Sequence, residues 1–402
     1  MAQPTTRTGR TASGSLLLAL AVVVVACNLR PAITSVGPVL DQTRTAYAAS
    51  AGWVGLLTTV PVLCLAAAGA LAPRLARRVG LRGAIAVALV AVTAGLVVRV
   101  LGGPALMIAA TVIATSGVAI AGVLVPVVVR AGFPARIGLV TGLYTAALQA
   151  GATLGFALTP LLATGLGGWR PALASWATLG ALALAGWAAW GRPAAASARA
   201  AVPGSAEPES RPSLLRSPLA WTVTAFFGLQ AFVAFAVMNW LPLALMDRGV
   251  ERTEAGLLLG ILSIVALPVS LLVPPLAGRA RGQGGWILAL SACGAAGLLG
   301  FLLVPTTGPW QALPWVLLLG LGMSVFSLAL TVIALRAPSA ARTADLSGMA
   351  QGIGYVIAGT GPFVVGLLHE STGGWTAPFA VLLAVVVAQA VTGALAGRPR
   401  TL

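Results

Sequence analysis

Arg30 is the residue whose type and place most constrain what this chain can do. It stands inside an apolar run reaching from Ser15 to Leu40. About ten residues separate it from the outer end of that run, or ~15 Å at 1.5 Å per residue, which is close to the middle of a bilayer. A guanidinium at that depth costs about 2.5–3.5 kcal/mol on insertion scales and more by other estimates. The acids are Asp41, Glu207, Glu209, Asp247, Glu251, Glu254, Asp345 and Glu370, all in connections or near the ends of apolar runs. No carboxylate is therefore expected at the depth of Arg30. An unpaired planar fork of donors suits a small carboxylate-like or pseudohalide-like anion. The competing reading is a brace, in which Arg30 satisfies backbone carbonyls freed by Pro31.

Other polar side chains lie at middle depth in apolar runs: Asn28, Tyr144, Gln149, Gln230, Asn239, Gln351 and Tyr355. Gln351 and Tyr355 are four apart and share a helix face. Each of these either touches a bound solute or makes a hydrogen bond between helices. Phe226, Phe227, Phe232 and Phe235 offer an aromatic wall, some of it turned to lipid. His369, the one histidine, falls near the outer end of its run, as an interfacial residue or a proton-coupling group. No metal-ligand cluster, nucleophile–base set or phosphate loop stands out, so neither an enzyme nor a cofactor is expected. The missing nucleotide motif also argues against ATP-driven work by this chain.

These residues need apolar helices to hold them. Of 402 residues, 58% are hydrophobic and 8% charged, against about 25% charged in soluble domains. Runs long enough to span a bilayer are read at 15–40, 51–73, 83–101, 105–129, 138–163, 172–191, 219–246, 254–277, 285–304, 311–335, 345–369 and 376–397. They predict an all-α membrane protein of twelve spans, since a barrel would show short alternating segments. Val24-Val25-Ala26-Cys27 faintly resembles a lipoprotein cleavage site, but the apolar run continues past it, as an uncleaved span would. Cys27, Cys64 and Cys293 have no metal or disulfide spacing and are read as small core residues.

All 24 basic residues are arginine. With the N-terminus inside, eighteen of them fall in cytoplasmic connections and tails, against Arg44, Arg170, Arg248 and Arg252 outside and Arg99 near a helix end. That bias is the positive-inside pattern and puts both termini in the cytoplasm. The net charge of +16 is thus a topology signal and not a nucleic-acid footprint. Residues 192–218 break the apolar pattern with a Pro-, Gly- and Glu-containing stretch, a flexible linker. The expected division is a tail at 1–14, a six-helix bundle at 15–191, the linker at 192–218, a second bundle at 219–397 and a tail at 398–402. The halves repeat: Arg130, Arg136, Gly142 and Gly167-Gly168-Trp169 correspond to Arg336, Arg342, Gly348 and Gly373-Gly374-Trp375, each pair 206 residues apart. Internal repeats of this kind mark transporters. Gly151/Gly155 and Gly348/Gly352 have helix-packing spacing, and Trp53, Trp169, Trp310 and Trp375 read as interface anchors.

Two six-helix halves joined by a cytoplasmic linker resemble the major facilitator superfamily. Gly69-Ala70-Leu71-Ala72-Pro73-Arg74, followed by Leu75-Ala76-Arg77-Arg78-Val79-Gly80, resembles its loop G-x-L-A-D-R-x-G-R-R, with Pro73 where that pattern has Asp. The charge-locking role of that Asp does not carry over. Asn28-Leu29-Arg30-Pro31-Ala32-Ile33-Thr34-Ser35-Val36-Gly37-Pro38 and Gly55-Leu56-Leu57-Thr58-Thr59-Val60-Pro61 look like the cyanate/2-nitroimidazole transporter (CynX/NimT) family. The resemblance implies a pseudo-symmetric major facilitator fold in a bacterial cytoplasmic membrane. It also implies alternating access around a midplane site and a monomer whose partners are lipid and a small solute. Arg30 makes an anion the expected solute. With no central acid, uniport, exchange or a proton carried on the solute fits better than coupling through a carboxylate. An aromatic-lined exporter of nitroimidazole-like drugs is the alternative; a channel or membrane-embedded sensor stands further off.

Overall fold

The computed structural model describes residues 12–191 and 213–402, so most of the expected linker and the first eleven residues of the expected tail lie outside the described residues. Every regular element among the described residues is helical. The helices are α1 (Ala12–Leu29), α2 (Pro31–Thr34), α3 (Leu40–Ala46), α4 (Ala51–Val98), α5 (Pro104–Gly132), α6 (Ile137–Gly165) and α7 (Trp169–Trp190) in the first half. The second half holds α8 (Pro218–Met246), α9 (Arg252–Arg279), α10 (Gly284–Leu303), α11 (Pro309–Met323), α12 (Val325–Arg336), α13 (Ala340–Thr372) and α14 (Thr376–Ala396).

Eleven stretches are long and apolar enough to cross a membrane. One of them, within α4, supplies two crossings, because Gly80 takes a left-handed φ of 77° and reverses the chain. Trp53 Nε1 donates to the Pro104 carbonyl at 3.0 Å and Gly69 lies against Val123, so residues 51–79 run parallel to α5. Gly95 lies against Ala110 and Ala114, while Gly117 lies against Ala88. Residues 81–98 therefore run the opposite way. The result is twelve crossings, six in each half. Only a residue without a Cβ turns this sharply at positive φ without strain.

Two crossings are broken. In the first, Pro31 has no N–H to give the Cys27 carbonyl, and the helix stops and restarts as α2 and a 3₁₀ turn at Gly37–Val39. In the other, α11 and α12 meet at Ser324. The free Cys27 carbonyl lies where a Cβ on Gly151 would stand, and Gly155 packs on Pro31 and Thr34. Gly151 and Gly155 thus let α6 press against the break in the first crossing. The repeated Gly-Gly-Trp shows the symmetry directly: Gly167 and Gly373 both have left-handed φ, 77° and 66°. Trp169 and Trp375, expected as interface anchors, are instead buried by Tyr47 and His369 at ring distances of 5.4 and 4.1 Å. Trp310 is 82% exposed.

One apolar core contains buried residues of both halves, including Val123, Leu124, Leu330 and Ile333, while two smaller cores belong to one half each. The halves therefore fuse over part of their height only. The face where α1 begins and α14 ends is called the terminal face below.

Candidate functional site

A cavity of about 40 Å³ lies between the halves, walled by Arg30 and Tyr144 from the first and by Phe326, Gln351 and Tyr355 from the second. About 10–15 Å³ holds one water, so the space suits a few atoms. Arg30 is half-buried. Its Cζ stands 5.6 Å from the centre of the Phe326 ring, within cation–π range. Among the described residues no carboxylate pairs with it. The Tyr144 hydroxyl is buried without a hydrogen-bond partner. Gln351 Nε2 donates to Ser347 Oγ at 2.8 Å and to the Gly122 carbonyl at 3.2 Å. Tyr355 is held by the Phe227 edge at 5.3 Å and stacks on Phe235 at 6.1 Å. A cation, an unused hydroxyl and an amide thus face one space, with aromatic rings on one flank.

Of the eight polar residues singled out in the sequence, Arg30, Tyr144, Gln351 and Tyr355 line this cavity. The other four are not among its lining residues. Asn28 is buried near Thr93 and Gly180, turned into its own bundle, with both side-chain polar atoms unpartnered. Gln230 lines a separate space of about 10 Å³ with Ser291 and Gln389 inside the second bundle. Asn239 is exposed and donates to the Phe235 carbonyl at 2.7 Å. Gln149 is half-buried on α6. Of the four phenylalanines, Phe226 and Phe227 are fully buried, and Phe227 and Phe235 frame Tyr355. His369 sits at the far end of α13, its Nε2 3.8 Å from Asp247 Oδ2 and its ring stacked on Trp375, away from the cavity.

The Major Facilitator Superfamily profile matches residues 16–359. The chain belongs to the major facilitator superfamily. It is 36% identical to the uncharacterized transporter YycB of Bacillus subtilis (strain 168), over 96% of this chain and 94% of that one. It is 33% identical to the 2-nitroimidazole transporter of Escherichia coli (strain K12), over 98% and 99%. It is 30% identical to the cyanate transport protein CynX of the same strain, over 89% and 91%. Among solved structures, the proton:xylose symporter XylE superposes with a TM-score of 0.79 at 15% identity, covering 97% of this chain and 98% of that one. The last likeness is one of fold. The chain is accordingly a multi-pass membrane transporter related to the cyanate and nitroimidazole carriers, and not an enzyme.

A superfamily transporter works by alternating access, and the contacts between the bundles show which side is shut. Toward the terminal face, α6 packs on α9: a Cβ on Gly138 would meet the Pro274 carbonyl, and one on Gly142 would come 2.7 Å from the Leu271 carbonyl. The symmetric seam joins α13 to the first arm of α4, where a Cβ on Gly348 would come 2.7 Å from Pro73 Cγ and one on Gly352 3.2 Å from Ala70 Cβ. Ser347 Oγ donates to the Val123 carbonyl at 2.9 Å, and Arg77 pairs with Asp345 at 3.3 Å. Away from that face the same seams part. Gly256 lies five turns before Pro274 on one face of α9, and a Cβ there would meet nothing within 4 Å. Phe363 continues the Gly352 face of α13 and is 71% exposed. The transporter is described sealed at its terminal face and parted at the other. Pro73, the departure from the superfamily loop, is itself part of the seal.

Arg99 is the residue that the sequence reading missed. Counted there as a charge near a helix end, it is 0% exposed. A side chain's direction inside a bundle has no signature in a chain where lipid-facing and core residues are equally apolar.

Proposed function

We propose that this transporter carries a small anion, cyanate-like or a small organic acid, bound by Arg30 with help from Tyr144, Gln351 and Tyr355. The carrying observation is the half-buried guanidinium, unpaired among the described residues, in a cavity shared by both bundles. Coulomb attraction at short range in a poorly polar site favours one negative charge there. The arginine bias supports a cytoplasmic terminal face, so the described conformation is open to the outside, and nothing in the site needs a second copy of the chain. Uptake of cyanate into proteoliposomes tests the reading. Arg30→Ala is expected to abolish saturable uptake, while an unchanged rate and affinity would remove Arg30 from the site.

The aromatic flank of Phe227, Phe235, Phe326 and Tyr355, with the likeness to the 2-nitroimidazole transporter, supports a second reading as a carrier of small aromatic rings. Transport of neutral 2-nitroimidazole that persists in Arg30→Ala would favour it.

A further inference from the structure

A second arginine is buried beside the broken first crossing. Arg99, just past the end of α4, is fully buried, and among the described residues no carboxylate pairs with it. Its Nη1 donates to the Ala32 carbonyl at 3.1 Å; its Nη2 donates to Ser35 Oγ at 3.0 Å and to the Leu173 carbonyl at 3.2 Å. Ala32 lies in α2, the short turn after Pro31, and Ser35 is its C-cap. In an unbroken helix the Ala32 carbonyl would accept from the N–H of residue 36. Here α2 ends at Thr34, and Arg99 takes the place of that backbone donor. A charged donor suits it, because such bonds are stronger than neutral ones and an unmet carbonyl in the bundle interior is expensive. Leu173 belongs to α7, so one guanidinium ties the broken crossing to two neighbouring crossings.

We infer that Arg99 is a positioning residue: it holds the broken turn after Pro31, and through it sets where the Arg30 side chain enters the cavity. Arg30 is the residue immediately before that turn, and its carbonyl accepts from Ile33 and Thr34, both at 3.0 Å. Any rotation of α2 is therefore carried to Arg30. The three partners of Arg99 are all on the far side of Arg30 in the first crossing or on α7, and none of them lines the cavity. Arg99 thus braces the turn after Pro31.

The consequence for transport rests on the anion reading, so the decisive experiment has two arms. In a chain carrying Cys27→Ala, Cys64→Ala and Cys293→Ala, Arg30→Cys is labelled with a small neutral thiol reagent, with and without Arg99→Gln. The labelling rate is expected to change by about tenfold, as follows from removing charged hydrogen bonds that fix a backbone turn. An unchanged rate in folded protein overturns the inference, whatever the substrate. Arg99→Lys, which keeps the charge but loses the fork, and Ser35→Ala, which removes one bond, give the same readout if Arg99→Gln fails to fold. In the second arm, with Arg30 intact, Arg99→Lys and Ser35→Ala are expected to raise the KM for cyanate by about tenfold or more, with less effect on the saturated rate. Loss of protein yield or thermal stability at unchanged KM would mean a structural role alone. Failure of the parent chain to carry cyanate sinks the anion reading and leaves the labelling arm to judge Arg99.

Discussion

Gly142→Ala should move this transporter off its described conformation without unfolding it. The added methyl would stand 2.7 Å from the Leu271 carbonyl oxygen, 3.1 Å from the Ser270 oxygen and 3.3 Å from Pro275 Cδ. Ordinary contact begins near 3.4 Å, so α9 must retreat by ~0.7 Å, and two of the three obstacles are backbone. Overpacking of this kind costs about 1–3 kcal/mol. Alternating access must part α6 from α9 at the terminal face, and the methyl then meets nothing. The whole penalty falls on the sealed state, which shifts the balance of the two conformations by about 5–150-fold. A reporter cysteine, Leu148→Cys on the cavity wall, can be labelled by an impermeant thiol reagent from either side in membrane vesicles. Gly142→Ala is expected to raise labelling from the terminal face and lower it from the other. Gly348→Ala, its counterpart 206 residues on, closes to the same 2.7 Å against Pro73 and should act alike. Gly260→Ala, with open space around it, should change nothing. Unaltered labelling in a folded Gly142→Ala protein would mean that α6 and α9 stay together through the cycle, and the account of the seal would fail.

Two further outcomes follow from the same seal. Gln351→Leu removes the donation to the Gly122 carbonyl that ties α13 to α5, about 1 kcal/mol when unopposed; it should raise terminal-face labelling of the same cysteine at 25 °C. Arg77→Ala breaks an ion pair whose side chains are 58% and 33% exposed, so its effect on that labelling should stay below about fivefold and fade at high salt.

Much of the architecture is legible in the residues because the bilayer asks a simple question of each segment. Twelve apolar runs appear as twelve crossings, including the pair on either side of Gly80 that forms one continuous helical stretch. The 206-residue register reappears as matched left-handed glycines and matched seal glycines. Arg30 is legible because a charge in an apolar run stands out. Gln351 and Tyr355 are legible because a spacing of four puts them on one face. Which way Asn28, Gln230 and Asn239 turn is not. In water an apolar stripe identifies the inward face; here lipid and core both take apolar side chains, so polar residues on equivalent helices look alike until tertiary contacts separate them. Arg99 escapes for the same reason. Its position near a helix end reads as a topology signal, and only the unwinding of the first crossing after Pro31 supplies the Ala32 carbonyl it binds.

Arg30, unpaired among the described residues, also bears on coupling. To return empty, the carrier must close its open side over the cavity and bury that guanidinium without a counter-ion. The effective penalty for a lone buried ion is several kcal/mol, and even about 2 kcal/mol slows a step by about thirtyfold. With an anion bound, closure buries a neutral pair, and the barrier falls. On the anion reading the loaded carrier therefore crosses faster than the empty one, and exchange outruns net flux. Proteoliposomes loaded with labelled cyanate should empty at least about tenfold faster into buffer containing cyanate than into buffer without it. Arg30→Gln should bring the two rates together by easing the empty return, whatever it does to affinity. Equal rates for the unaltered chain would show that Arg30 is not desolvated alone. That result would point to a counter-charge reaching it in the other conformation.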